Sequence, residues 1–120
     1  MNLSLNTLTI VSAGDTKIEG NIRALKASSK LLKAQETIYF TSKKILNNSK
    51  NLRVINIDPL KSPKDYNYFI IYDLFKYINT SHVLIVQYDG FVVNPNKWNK
   101  LFFEYDYIGA PFIPRDDNED

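Results

Sequence analysis

The chain has 120 residues, 44% of them hydrophobic and 23% charged, with no cysteine and a single histidine, His82. That length suits one domain able to bury about two-thirds of its unfolded surface, and the composition excludes disorder, disulfides, thiolate metal sites, cysteine nucleophiles and multi-histidine metal cages. The net charge of +2 hides an asymmetry, because residues 1–60 hold nine basic and four acidic residues and residues 61–120 hold six and nine; the basic half lacks the interleaved aromatics and clustered arginines of a nucleic-acid surface.

Met1 is followed by polar-apolar alternation with no basic residue before Lys17, which is not a signal-peptide layout. No apolar run approaches the length of a membrane span, so a cytoplasmic location is expected. Leu8–Ser12 is a β-rich run ending at Ala13-Gly14-Asp15, a strand feeding a turn. Thr16-Lys17-Ile18-Glu19 matches a capping box, and Ile18, Ile22, Leu25 and Leu32 form one apolar stripe, predicting a helix to about Ala34. Thr37–Thr41 is the second strand, a short helix is expected around Ile45 and Leu46, and Leu52–Ile57 is the third strand, broken at Asp58-Pro59.

Ser62-Pro63 opens the next helix, with Ser as N-cap and Pro where its missing amide costs nothing. It is expected to run to Ile78 with Ile71, Leu74, Phe75 and Ile78 on its buried face. His82–Gln87 is the strongest strand, a continuous apolar run of the kind buried on both faces of a parallel sheet. Asn94-Pro95 should open a short helix carrying Trp98, Leu101 and Phe102, and residues 105–112 form an edge strand or loop. Strands alternating with helices predict an α/β fold, an open, mostly parallel sheet with flanking helices.

Ligands of open α/β sheets bind outside the carboxyl ends of the strands, where strand order reverses. For an order of 3-2-1-4, that point lies between the first and the His82 strand, whose ends carry Ser12-Ala13-Gly14-Asp15-Thr16 and Gln87-Tyr88-Asp89-Gly90. Carboxylates beside a helix N-terminus suit a nucleotide diphosphate with a divalent cation. Asp89 is the sharpest candidate for a cation ligand, although Asp-Gly is also a common turn pair. Asp15 reads either as loop and capping chemistry or as a contact to base or ribose, and Asp58, before Pro59, reads more as a turn. His82 starts its strand at the opposite end and reads as an ordinary surface or core histidine. Trp98 reads as core, and Tyr66, Tyr68, Tyr72 and Tyr77 are too dense for a single face.

Asp65-Tyr66, Phe69, Leu74, Lys76-Tyr77-Ile78, the run His82 to Val92, Asn94-Pro95, Trp98 and Tyr105-Asp106-Tyr107-Ile108-Gly109-Ala110-Pro111 together carry a resemblance. Over about residues 6–114 the chain resembles a family of bacterial domains from polysaccharide and glycan gene contexts, regarded as glycosyltransferases of the type A fold. The resemblance implies a Rossmann-like half that binds a nucleotide-diphosphate sugar through Ser12, Ala13, Asp15, Thr16, Gln87 and Tyr88. It implies transfer of the sugar to a glycan or other acceptor hydroxyl.

An Asp-x-Asp motif after the fourth strand would hold the cation; here the triplet is Gln87-Tyr88-Asp89, so Mg²⁺ or Mn²⁺ would rest on Asp89 with diphosphate and water. Members of that family continue past the Ile-Gly-Ala-Pro element. Residues 1–114 are therefore expected to be an incomplete donor-binding domain with little or no transfer activity alone, followed by the acidic tail 115–120. The expected partners are the donor, the acceptor and a peripheral membrane or protein contact, without nucleic acid. The rival expectation is a non-catalytic binding or assembly module of the same fold. A receiver-like phosphoacceptor is disfavoured, since paired acids after the first strand and a late-strand lysine are missing.

Overall fold

A computed structural model describes residues 3–46 and 50–90, with side chains from residue 7 onward. The elements expected beyond Gly90, Trp98 among them, and the tail 115–120 lie outside the described residues. In chain order come β1 (Leu3–Ala13), α1 (Ile18–Leu31), β2 (Leu32–Thr41), β3 (Arg53–Asn56), α2 (Pro63–Tyr68) and β4 (His82–Ile85). The four strands form one all-parallel sheet in the order β3-β2-β1-β4. The α/β architecture is as the strand–helix alternation implied.

Each face of the sheet carries a helical layer. On one face Leu8 and Ile10 of β1 and Tyr39 of β2 pack with Ala24 and Leu25 of α1. On the other, Val11, Ala13, Ile38 and Phe40 pack with Phe69 and Leu74, and the Phe40 ring meets Phe69 at 5.1 Å and Tyr77 at 5.3 Å between centroids. Period-two alternation along β1 and β2 divides the two cores.

Several sequence expectations are corrected. The Thr16 capping box does not form: the N-cap is Lys17, in the left-handed conformation (φ 55°), and no side chain caps α1. Placing the cap one residue later makes Gly20, not Glu19, the third helical residue, so the reciprocal contact is out of phase. The helix also ends at Leu31, and Leu32 is the first residue of β2, not the last of the helical stripe. Parallel pairing of Leu3–Leu5 with Leu32–Ala34 takes up this segment's backbone groups, which favours strand over another helical turn. Residues 42–46 contain no helix at Ile45 and Leu46.

Ser62 caps α2 as expected, accepting from the Asp65 amide, with Pro63 in the first turn. The expected single helix to Ile78 instead changes geometry, passing through a π segment (Phe69–Asp73) and a 3-10 segment (Leu74–Tyr77). The Leu74 amide donates to the Phe69 carbonyl, five residues back. That wider turn shifts the phase, so Phe69 and Leu74 are buried while Ile71 and Phe75 are 65% and 68% exposed. β4 alternates half-buried and exposed positions, with Val83 and Ile85 exposed, and is not covered on both faces among the described residues.

Candidate functional site

Parallel pairing of β1 with β4, in register from Leu8 with His82 to Val11 with Ile85, brings their carboxyl ends to one edge. The Val86 amide continues the ladder to the Val11 carbonyl at 2.9 Å. The strand order is the one for which the sequence placed a crevice between these two strands. Ser12 and Ala13, at the carboxyl end of β1, are buried. Ser12 Oγ has no hydrogen-bond partner among the described residues. Thr16 and Lys17, at the start of α1, are exposed, as are Tyr88 and Asp89.

Gly14 turns the chain out of β1 with φ +150°, a conformation that side chains other than glycine rarely adopt. Its amide donates to Phe40 O at 2.9 Å and its carbonyl accepts from the Tyr39 hydroxyl at 2.7 Å. Burial pushes the Tyr39 phenol up, the Asn21 hydrogen bond lowers it, and the Asp15 charge raises it further; the net direction is upward.

Asp15 does not face an open crevice. Its Oδ1 accepts from Thr41 Oγ1 and the Ser42 amide, each at 2.7 Å. Its Oδ2 accepts from Ser42 Oγ at 2.8 Å and the Leu60 amide at 3.1 Å. Burial raises its pKa, but the four hydrogen bonds outweigh that and hold the carboxyl below the ordinary aspartate value. The residue is a clasp joining the ends of β1 and β2 to the loop after β3.

Gln87, Tyr88, Asp89 and Gly90 form a tight reversal closed by two backbone bonds, Gln87 N to Gly90 O at 2.9 Å and Gly90 N to Gln87 O at 3.0 Å. Turn geometry and exposure of Asp89 therefore coexist. The Gln87 side-chain amide donates to the Tyr66 hydroxyl on α2. Burial raises the Tyr66 pKa, the Gln87 contact lowers it and the Asp89 charge raises it, with a net upward shift.

The reversal is held to α1 by residues that sequence reasoning missed. Buried Asn21 accepts the Tyr88 amide on Oδ1 at 2.9 Å. A Cβ on Gly20 would lie 2.8 Å from Tyr88 Cβ, so glycine is what lets the two elements meet. Lys17 Nζ sits 5.7 Å from the Tyr88 ring centroid, within cation–π range. A glycine inside the first turn of an otherwise good helix was the one available signal.

The structure thus gathers Ser12, Ala13, Thr16, Gln87, Tyr88 and Asp89 at one edge, and turns the oxygens of Asp15 toward β2 and the loop after β3. No group of three or more His, Cys, Asp or Glu side chains arranged to hold a metal ion occurs among the described residues. The donor set at this edge fits a cation held by one exposed carboxylate, Asp89, and by ligand oxygens. His82 lies at the far end of β4, with its Nδ1 2.9 Å from Ser81 Oγ. No helix among the described residues is long and apolar enough to cross a membrane.

A family model described as a protein of unknown function, DUF5672, matches residues 49–120. No curated protein and no solved structure matches the chain.

Proposed function

The chain belongs to the DUF5672 family of proteins of unknown function, and from the shared edge of β1 and β4 we propose that it binds a nucleotide-diphosphate sugar as the donor half of a glycosyltransferase-like domain. The observation that carries this reading is the parallel β1–β4 pairing, with the start of α1 lying against Tyr88 through Lys17, Gly20 and Asn21. The first-turn amides of α1, which no side chain caps, and the Lys17 ammonium offset diphosphate charge. Asp89 would hold a Mg²⁺ or Mn²⁺ ion, which would supply charge stabilisation to the leaving nucleotide. Gln87 holds the reversal against Tyr66 and takes no part as a cation ligand. The reaction class is displacement at the anomeric carbon by an acceptor hydroxyl, in the cytoplasm.

Calorimetric titration with UDP- and GDP-sugars, with and without Mn²⁺, tests the reading. One of them is expected to bind more tightly with Mn²⁺, and Asp89→Asn to remove the metal effect while leaving the fold intact by circular dichroism. Failure of every nucleotide sugar to bind at millimolar concentration would refute the donor site. Binding that is unchanged by Asp89→Asn would refute the role of Asp89.

A further inference from the structure

At the opposite end of the sheet from the strand termini just described, the amino ends of β2 and β3 and the last turn of α1 enclose a groove of about 780 Å³. Four cationic side chains line it, Lys30, Lys33, Lys50 and Arg53, against one acid, Glu36. All four are exposed, and Glu36 is spent on Arg53 at 2.9 Å. Among the described residues none of the three lysines has an ion-pair partner. Lys30 has an ordinary role, opposing the negative end of the α1 dipole. Lys33 and Lys50 have no such role, and like charges gathered round a concavity raise the local potential for an anion.

The remaining lining narrows the class of ligand. Ser29, Gln35 and Asn51 interleave hydroxyl and amide groups with the cations, the donors and acceptors that pair with sugar hydroxyls. Among the described residues no aromatic side chain lines the groove, so bases of a single strand would find nothing there to stack on. A concave cleft also meets a flat bilayer poorly.

We propose that this groove binds an anionic saccharide, a sugar chain bearing carboxylate or phosphate groups. Lysine ammonium groups act as point charges toward the anionic groups, while Gln35 and Asn51 take the intervening hydroxyls. The site is separate from the β1–β4 edge and stands whether or not that edge binds a nucleotide sugar.

The whole chain is titrated with oligogalacturonate, neutral dextran oligomers, single-stranded oligothymidylate and vesicles containing phosphatidylglycerol, in low and physiological salt. Oligogalacturonate is expected to bind, and to bind less tightly as salt screens the charges, while dextran does not. The Lys30→Gln, Lys33→Gln, Lys50→Gln triple variant is expected to lose about tenfold in affinity while keeping a cooperative melting transition. Lys43→Gln with Lys44→Gln and Lys61→Gln, three exposed lysines outside the groove, serves as the matched charge control and is expected to bind like the wild type. Absence of oligogalacturonate binding, equal loss in the control variant, or tighter binding of the oligothymidylate or the vesicles would each overturn the proposal.

Discussion

The two ends of this sheet use polar residues in opposite ways. At the carboxyl end of the strands, Asp15, Asn21, Tyr39 and Gln87 are each tied to a named partner from another element. At the amino end, Lys30, Lys33 and Lys50 extend from a groove with no ion-pair partner among the described residues. A side chain fixed by hydrogen bonds contributes to folding and orients its neighbours, whereas an unpartnered charge contributes almost nothing to folding and is free to meet a ligand. Substitutions at the first end should therefore be read in stability, and at the second in binding and its salt dependence.

The largest effect should come from the clasp. Asp15→Ala removes four acceptor contacts and leaves the Ser42 and Leu60 amides without their partners. A loss of about 2 kcal/mol is expected in urea denaturation, below the sum of the separate bonds because the site is only partly buried and the bonds are coupled. Asp15→Asn, which keeps the shape but loses the charge, should lose about half of that. The pH dependence has a fixed sign. The folded-state pKa of Asp15 is lowered, so its stabilisation is present above the unfolded value, about 3.9, and disappears as pH falls through the folded value. Wild-type stability should decline below about pH 4 more steeply than that of Asp15→Asn; parallel curves would show that the clasp is not charge-assisted.

This clasp marks the limit of what the sequence revealed. Strand identity was legible because Leu8–Ser12, Thr37–Thr41 and His82–Gln87 are short β-branched and aromatic runs bounded by turn residues. The meeting of the carboxyl ends of β1 and β4 was legible because alternating strands and helices imply parallel pairing. The partners of Asp15 were not, since Thr41, Ser42 and Leu60 lie 26 to 45 residues away and no local pattern links them. The buried face of the second helical segment was misjudged for a different reason. A uniform 3.6-residue period selects Ile71 and Phe75, but the π turn at Phe69–Asp73 shifts the phase and leaves both exposed. Residue spacing carries no sign of such a turn.

A smaller effect tests how closely the Gln87–Gly90 reversal rests on α1. Alanine in place of a helical glycine ordinarily stabilises by up to about 1 kcal/mol. At Gly20 the new methyl would lie 2.8 Å from Tyr88 Cβ, and relieving such an overlap typically costs about 1–3 kcal/mol. Tyr88 sits on an exposed turn that can yield, so a net loss of about 1 kcal/mol is expected, with the Tyr88 amide resonance shifted as its bond to Asn21 stretches. Stabilisation with an unmoved Tyr88 resonance would mean that the two elements are not in contact.

The smallest effect lies at the other end, where Arg53 and Glu36 form the groove's one ion pair among the described residues. Both are partly exposed, so a double-mutant cycle should return a coupling of only about 0.2–1 kcal/mol that shrinks with added salt. The two single variants should nevertheless differ. Arg53→Gln leaves Glu36 facing three nearby lysines, which partly replace the lost cation. Glu36→Gln removes the only acid lining the groove among the described residues and leaves four positive charges to repel one another. Glu36→Gln is therefore expected to be the more destabilising of the two at low salt, and to tighten oligogalacturonate binding where Arg53→Gln weakens it. Opposite signs in binding from two substitutions that each cost little in folding are what an electrostatic groove requires, and equal signs would identify Glu36 and Arg53 as an isolated surface pair.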